Sequence, residues 1–155
     1  MNTCYFLTLV TVILFAMAGL QGYFQFPVFQ ANHPTFALLF VIFYLFTQTL
    51  VIFFFVGTGV SIRDYIKERH VDAKYHRQSI ALKRRVYPPL LLNMLFVMTL
   101  FVTGGAVDTG RLPAWFHGLL FYAAFFHFFL VITREHRAFQ ENTEIILEMS
   151  GIKRK

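Results

Sequence analysis

Residues 114–140 read AWFHGLLFYAAFFHFFLVITREHRAFQ. From Ala114 to Ile132 this stretch holds no Lys, Arg, Asp or Glu, and then charge returns abruptly at Arg134 and Glu135. About 20 apolar residues suffice to carry a helix across a hydrocarbon core ~30 Å thick. Pro113 supplies a first residue whose missing N–H costs a helix little. The stretch therefore predicts a membrane-spanning helix over Pro113–Ile132 that continues into water, and it places two histidines, His117 and His127, in the spanning part.

The rest of the chain matches this reading. Of its 155 residues, 57% are hydrophobic, 19% aromatic and 14% charged, against roughly 25% charged in an ordinary soluble domain. A chain this short cannot hide so much apolar surface in one water-facing globule. Three more apolar runs have spanning length: Cys4–Leu20, Thr35–Ile62 and Pro89–Val107. The first also carries a small-residue AMA motif at Ala16–Ala18, but it lacks the basic segment that precedes a cleaved signal, so it reads as a span. The fold expected is an all-α integral membrane four-helix bundle, one membrane domain over 1–155. It has spans near 4–20, 35–62, 89–107 and 113–132, a loop over 63–87 and a tail over 133–155. The prolines of YPPLLL, Pro88 and Pro89, are read as opening the third helix and TGG, Thr103–Gly105, as ending it. The second and fourth helices are expected to extend into water, the second with a break near Asp72 and the fourth as far as Ser150, with Gly151 as its cap.

Charge sets the expected orientation. No Lys, Arg, Asp or Glu occurs before Arg63, the 63–87 segment carries eight Lys/Arg against three acids, and the tail carries five. The other two loops, 21–34 and 104–112, hold one basic residue, Arg111. Positive charge stays on the cytoplasmic side, which predicts both termini inside, in a membrane of bacterial inner-membrane type. The net charge of +6 is thus a topology signal and gives no nucleic-acid face. The cluster Lys83, Arg84 and Arg85 lies where anionic lipid headgroups attract basic side chains by about 1 kcal/mol each.

Polar residues at membrane depth are costly and mark contacts or sites. Gln48 and Asn93 are read as interhelical contacts. His127 has three competing uses: a hydrogen bond to Gln48, Thr47 or Asn93, an axial haem ligand, or part of a quinone or proton path. His127 lacks an intrachain histidine partner at its depth. His117 differs, because His33, just before the second span, is expected at the same outer level with Asp108, which makes His33–His117–Asp108 a haem or metal site by composition. His70, His76 and His136 accompany Glu68, Asp72, Glu135 and Glu141 in the water-side segments and read as a solvated helix surface. The single Cys4 excludes an intrachain disulfide and reads as a buried, inert thiol.

No complete catalytic set is present, so enzymatic activity by the chain alone is not expected. The leading expectation is a non-catalytic subunit of a larger membrane complex, contacting other membrane subunits or further copies of itself. The alternative is an electron-transfer subunit sharing a haem or quinone site with a partner. A small transporter ranks last, since no acid lies within a span. The topology is tested with single cysteines introduced into a Cys4→Ser background: Gln78→Cys reacts with an impermeant maleimide only after cells are opened, whereas Thr109→Cys reacts in intact cells.

Overall fold

The structure is a computed structural model and describes residues 1–152. Lys153, Arg154 and Lys155, three of the five basic residues of the tail, lie outside the described residues. Four helices follow one another: α1 (Asn2–Phe24), α2 (His33–Arg69), α3 (Lys74–Asp108) and α4 (Ala114–Met149). Each is long and apolar enough to cross a membrane. They form an up-down-up-down bundle in which α2 packs on α1 and α3, α3 packs most extensively on α4, and α4 closes the ring on α1 more sparsely.

The buried positions show why these sequences pair. In α4 they include Ala124, Phe128, Val131, Glu135, Ala138, Asn142, Ile145 and Met149, and in α3 Tyr75, Ser79, Leu82, Val86, Leu90, Asn93, Val97 and Leu100. In α1 they include Cys4, Thr8, Thr11, Phe15 and Ala18. All three sets advance by steps of three and four residues, the spacing of a left-handed bundle seam. The opposite faces carry exposed Leu9, Ile13, Leu39, Phe46, Phe53, Leu95, Leu119 and Phe126, as lipid requires. Because lipid is as apolar as these side chains, close packing and interhelical hydrogen bonds hold such helices together. Tyr44 donates to Asn93 Oδ1 at 2.6 Å, Asn93 donates to the Ala124 carbonyl at 2.9 Å, and Thr11 donates to Thr47 at 3.1 Å. These bonds join α2, α3 and α4, and α1 to α2, near mid-membrane.

The helices outrun the boundaries read from the sequence. α2 continues to Arg69 and caps at His70 in the left-handed conformation (φ 53°), so the break expected near Asp72 is a tight turn over 70–73. The 63–87 segment is therefore mostly helix, and α3 extends into water as α2 and α4 do. Pro88 and Pro89 lie inside α3, not at its start. They remove the helical partners of the carbonyls of Arg84 and Arg85, whose side chains are exposed. Thr103–Gly105 does not end α3 either, since the helix runs on to Asp108. α4 does extend to Met149, with Ser150 as cap and Gly151 at φ +71° behind it.

At the opposite end, residues 25–32 fold back on themselves. Val28 and Ala31 exchange backbone hydrogen bonds, with Phe29 and Gln30 both at positive φ between them, the geometry of a type I′ turn. The buried Gln21 side chain donates to the Ala31 carbonyl at 2.8 Å, tying the turn to α1. Asn32 then caps α2, its Oδ1 accepting from Thr35 N. This fixes where α2 starts, with His33 as its first residue.

Asn93→Leu strands the Tyr44 hydroxyl in an apolar core and is expected to destabilise the bundle by about 1–3 kcal/mol. Adding Tyr44→Phe should recover part of the loss. Thermal unfolding of the two variants in detergent measures both effects.

Candidate functional site at the His33–His117 end of the bundle

α2 and α4 sit diagonally and run parallel. Tyr44 meets Phe128, Phe55 stacks on Phe139, and the Thr58 hydroxyl bonds Asn142. All three contacts join residue i of α2 to residue i+84 of α4. His33 and His117 obey the same register, and their ring centroids are 6.3 Å apart with planes inclined at 75°. The fold thus brings two imidazoles from diagonal helices to one level inside the end of the bundle. An ion bound by both rings at about 2.0 Å, the usual metal–imidazole distance, would hold ring centroids roughly 6 Å apart.

Each ring is seated against a glycine of the adjacent helix. A Cβ on Gly22 of α1 would lie 3.2 Å from His33 Cε1, and one on Gly104 of α3 would lie 3.1 Å from His117 Cε1. A side chain at either glycine would crowd the ring beside it. Thr103 donates its hydroxyl proton to the Leu100 carbonyl at 2.9 Å and contacts His117 Nδ1 at 3.3 Å. With its own proton committed, the Thr103 oxygen accepts from His117 Nδ1–H. That fixes the tautomer and leaves the lone pair on Nε2, as an outer-shell partner does for a ligating histidine. His33 Nδ1 is buried and has no partner.

The two rings stand in a cavity of about 1150 Å³, large by the ~300–1,000 Å³ of ordinary ligand pockets. Its walls come from all four helices. They are mainly apolar, with Phe15, Phe40, Phe101, Phe121 and Trp115 among them, and Asp108 and Tyr23 are its polar members near the rim. Gly19 and Gly118 thin the walls of α1 and α4; a Cβ on Gly19 would collide with the Phe121 ring. The exposed Trp115, Tyr23 and Tyr122 surround this end, where amphipathic rings sit at a membrane–water interface. Among the described residues no group of three or more His, Cys, Asp and Glu side chains gathers as a metal site, so a two-histidine arrangement is what this end offers.

The other residues singled out in the sequence lie elsewhere. His127 packs edge-on against Phe96, and its buried Nδ1 has no hydrogen bond. Asn93 bonds Tyr44 and Ala124, Thr47 bonds Thr11 and the Phe43 carbonyl, and Gln48 bonds nothing, so none of them holds His127. Of the basic cluster, Arg84 is exposed, Arg85 pairs with Glu141 across to α4, and Lys83 lies over Gly59 of α2.

Glu135 is the residue that sequence reading misplaced. Instead of joining a solvated surface it is 2% exposed, one turn past Ile132 on the seam of α4, and its Oε1 has no partner. The signal was available: Ala124, Phe128 and Val131, followed in steps of three and four, lead directly to Glu135. Desolvation lifts its pKa from 4.5 to about 8. Comparison with protein-family models, with curated proteins and with solved structures finds no match.

Since folded Glu135 holds its proton more tightly than the unfolded chain, its contribution to stability falls as pH rises from about 4.5 to about 8 and is level beyond. The difference between the thermal stabilities of the parent protein and Glu135→Gln, measured in detergent across that range, should show this decline.

Proposed function

We propose that the protein is a b-type electron-transfer protein of the membrane, with one haem held between His33 of α2 and His117 of α4. The observation that carries this reading is the 6.3 Å separation of two imidazoles facing a large apolar cavity from diagonal helices. The residues present fit the group: an unpartnered His33 Nδ1, a His117 oriented through Thr103, and glycines where a Cβ would displace either ring.

Bound haem supplies one-electron redox chemistry; the chain supplies its setting. His33 and His117 would hold the haem iron between them, which would favour electron transfer over binding of a small exogenous ligand. The phenylalanines and Leu100 that line the cavity would shield the group from water. Asp108 and Tyr23 mark the open, interfacial rim, through which an electron partner approaches. A carrier needs a donor and an acceptor, so this reading keeps the expectation of membrane partners. A purely structural subunit would have no use for the cavity or its paired rings.

Protein expressed with an adequate haem supply should purify with a Soret band and reduced α and β bands. His33→Ala and His117→Ala should each abolish six-coordinate binding, Gly104→Val should lower haem occupancy several-fold, and His127→Ala should leave the spectrum intact. A colourless protein from haem-replete cells, or a spectrum indifferent to His33 and His117, would contradict the assignment.

A further inference from the structure

The opposite half of the bundle holds a second buried polar group that the haem reading does not use. Gln48 on α2 is fully buried, and neither its Nε2 nor its Oε1 has a partner. By the α2–α4 register Gln48 is level with Ile132, three residues from Glu135, or about 4.5 Å along the axis. Both side chains belong to the interior. Along the bundle axis three unpartnered buried polar atoms, two from Gln48 and one from Glu135, therefore fall within one helical turn. Unpaired buried atoms of this kind are costly, and a buried water typically makes about three hydrogen bonds to such groups.

No counter-charge faces the carboxyl. From α1, the neutral thiol of Cys4 faces it, and Tyr5 is engaged with His136. From α2 the nearest titratable group is Tyr44, whose hydroxyl is committed to Asn93. At this depth α3 presents buried, apolar Val86 and Leu90 and the half-buried Tyr87, whose hydroxyl donates to the Ile52 carbonyl, and Arg85 is held by Glu141. On α4 itself Arg134, His136 and Arg137 are exposed on other faces. Among the described residues Glu135 is the one buried acid.

We propose that Glu135 and Gln48 form an internal proton-binding site, in which the Glu135 carboxylate takes up one proton from the basic end of the bundle and a water molecule bridges the resulting acid to the Gln48 amide. The reaction adds a proton to one carboxylate oxygen and involves no redox partner. Asn142 marks the entry. It lies two turns further out on the same seam, ~10 Å away along the axis, with an unpartnered Nδ2 and the Thr58 hydroxyl beside it. Toward the middle of the bundle the next polar groups are the Thr11–Thr47 and Tyr44–Asn93 pairs. The placement explains why an acid occupies a seam position where leucine would pack. It goes beyond the haem reading and stands without it.

Infrared spectroscopy of the full chain in lipid vesicles, with glutamate labelled at the side-chain carboxyl by ¹³C, tests the proposal. At pH 7 the parent protein should show the C=O stretch of a neutral carboxylic acid that shifts with the label and disappears in strongly alkaline buffer. The band should be missing from Glu135→Gln and should move to higher frequency in Gln48→Leu, which removes the bridge. No neutral-acid band at pH 7 in the labelled parent would overturn the proton site, and this measurement needs no variant to fold. A band that survives Glu135→Gln would assign the proton elsewhere and overturn it equally, and an unmoved band in Gln48→Leu would overturn the bridge.

Discussion

One register across the bundle diagonal, residue i of α2 level with residue i+84 of α4, decides what this protein brings together. It is set by side chains with little freedom to slide: Tyr44 against Phe128, Phe55 stacked on Phe139, and Thr58 bonded to Asn142. A slip of one residue would turn each of them about 100° around its helix and break the Tyr44–Asn93–Ala124 link. The same register carries His33 to His117 at one end and sets Gln48 level with Ile132, three residues from Glu135, at the other. Both polar features follow from how α2 and α4 lock, with α1 and α3 supplying the glycines and hydroxyls that finish them.

Lipid sharpens this arrangement. Within hydrocarbon the backbone must satisfy itself, so the chain has helices and little else, and a polar side chain gains nothing by facing outward. Phenylalanine does much of the packing. Phe15 alone meets Phe40, Phe121, Phe125 and Phe128. Those large, stiff rings close the middle of the bundle, while the glycines at 19, 22, 104 and 118 hold its outer end open. The two ends thus differ in kind: one is roomy, aromatic and apolar, with paired imidazoles, and the other is tightly packed with a lone buried acid. Electrons at the outer end and protons at the basic end would be handled some distance apart. His117 and Glu135 are eighteen residues apart on α4, or about 27 Å.

Much of the fold was legible in the sequence because span length follows from composition and helix reach from the placing of glycine and proline. The four apolar runs, the turn near Asp72 and the reach of α4 to Met149 follow from them. Helix ends were less legible. Pro88–Pro89 and Thr103–Gly105 look like boundaries, yet at an interface the carbonyls that prolines release can find water, and a bundle packed on both sides carries a helix through glycines. At the site, His33 and His117 were placed on one level by counting from the membrane edges, but their facing, and the glycine behind each ring, depended on a rotational register that hydrophobic periodicity does not fix. Glu135 was misread because its neighbours in sequence, Arg134, His136 and Arg137, are solvated. Only the three-and-four stepping from Ala124 shows that it faces inward.

The geometry of the paired imidazoles is most directly tested by low-temperature electron paramagnetic resonance of the oxidised, haem-loaded protein. Two imidazoles with planes inclined at 75° would hold bound haem iron low-spin with nearly degenerate dπ orbitals, and the account predicts the strongly anisotropic low-spin signal of near-perpendicular ligand planes. A rhombic low-spin signal typical of parallel rings, a high-spin signal from five-coordinate iron, or no haem-iron signal at all would contradict the placement of His33 and His117 on which the account rests.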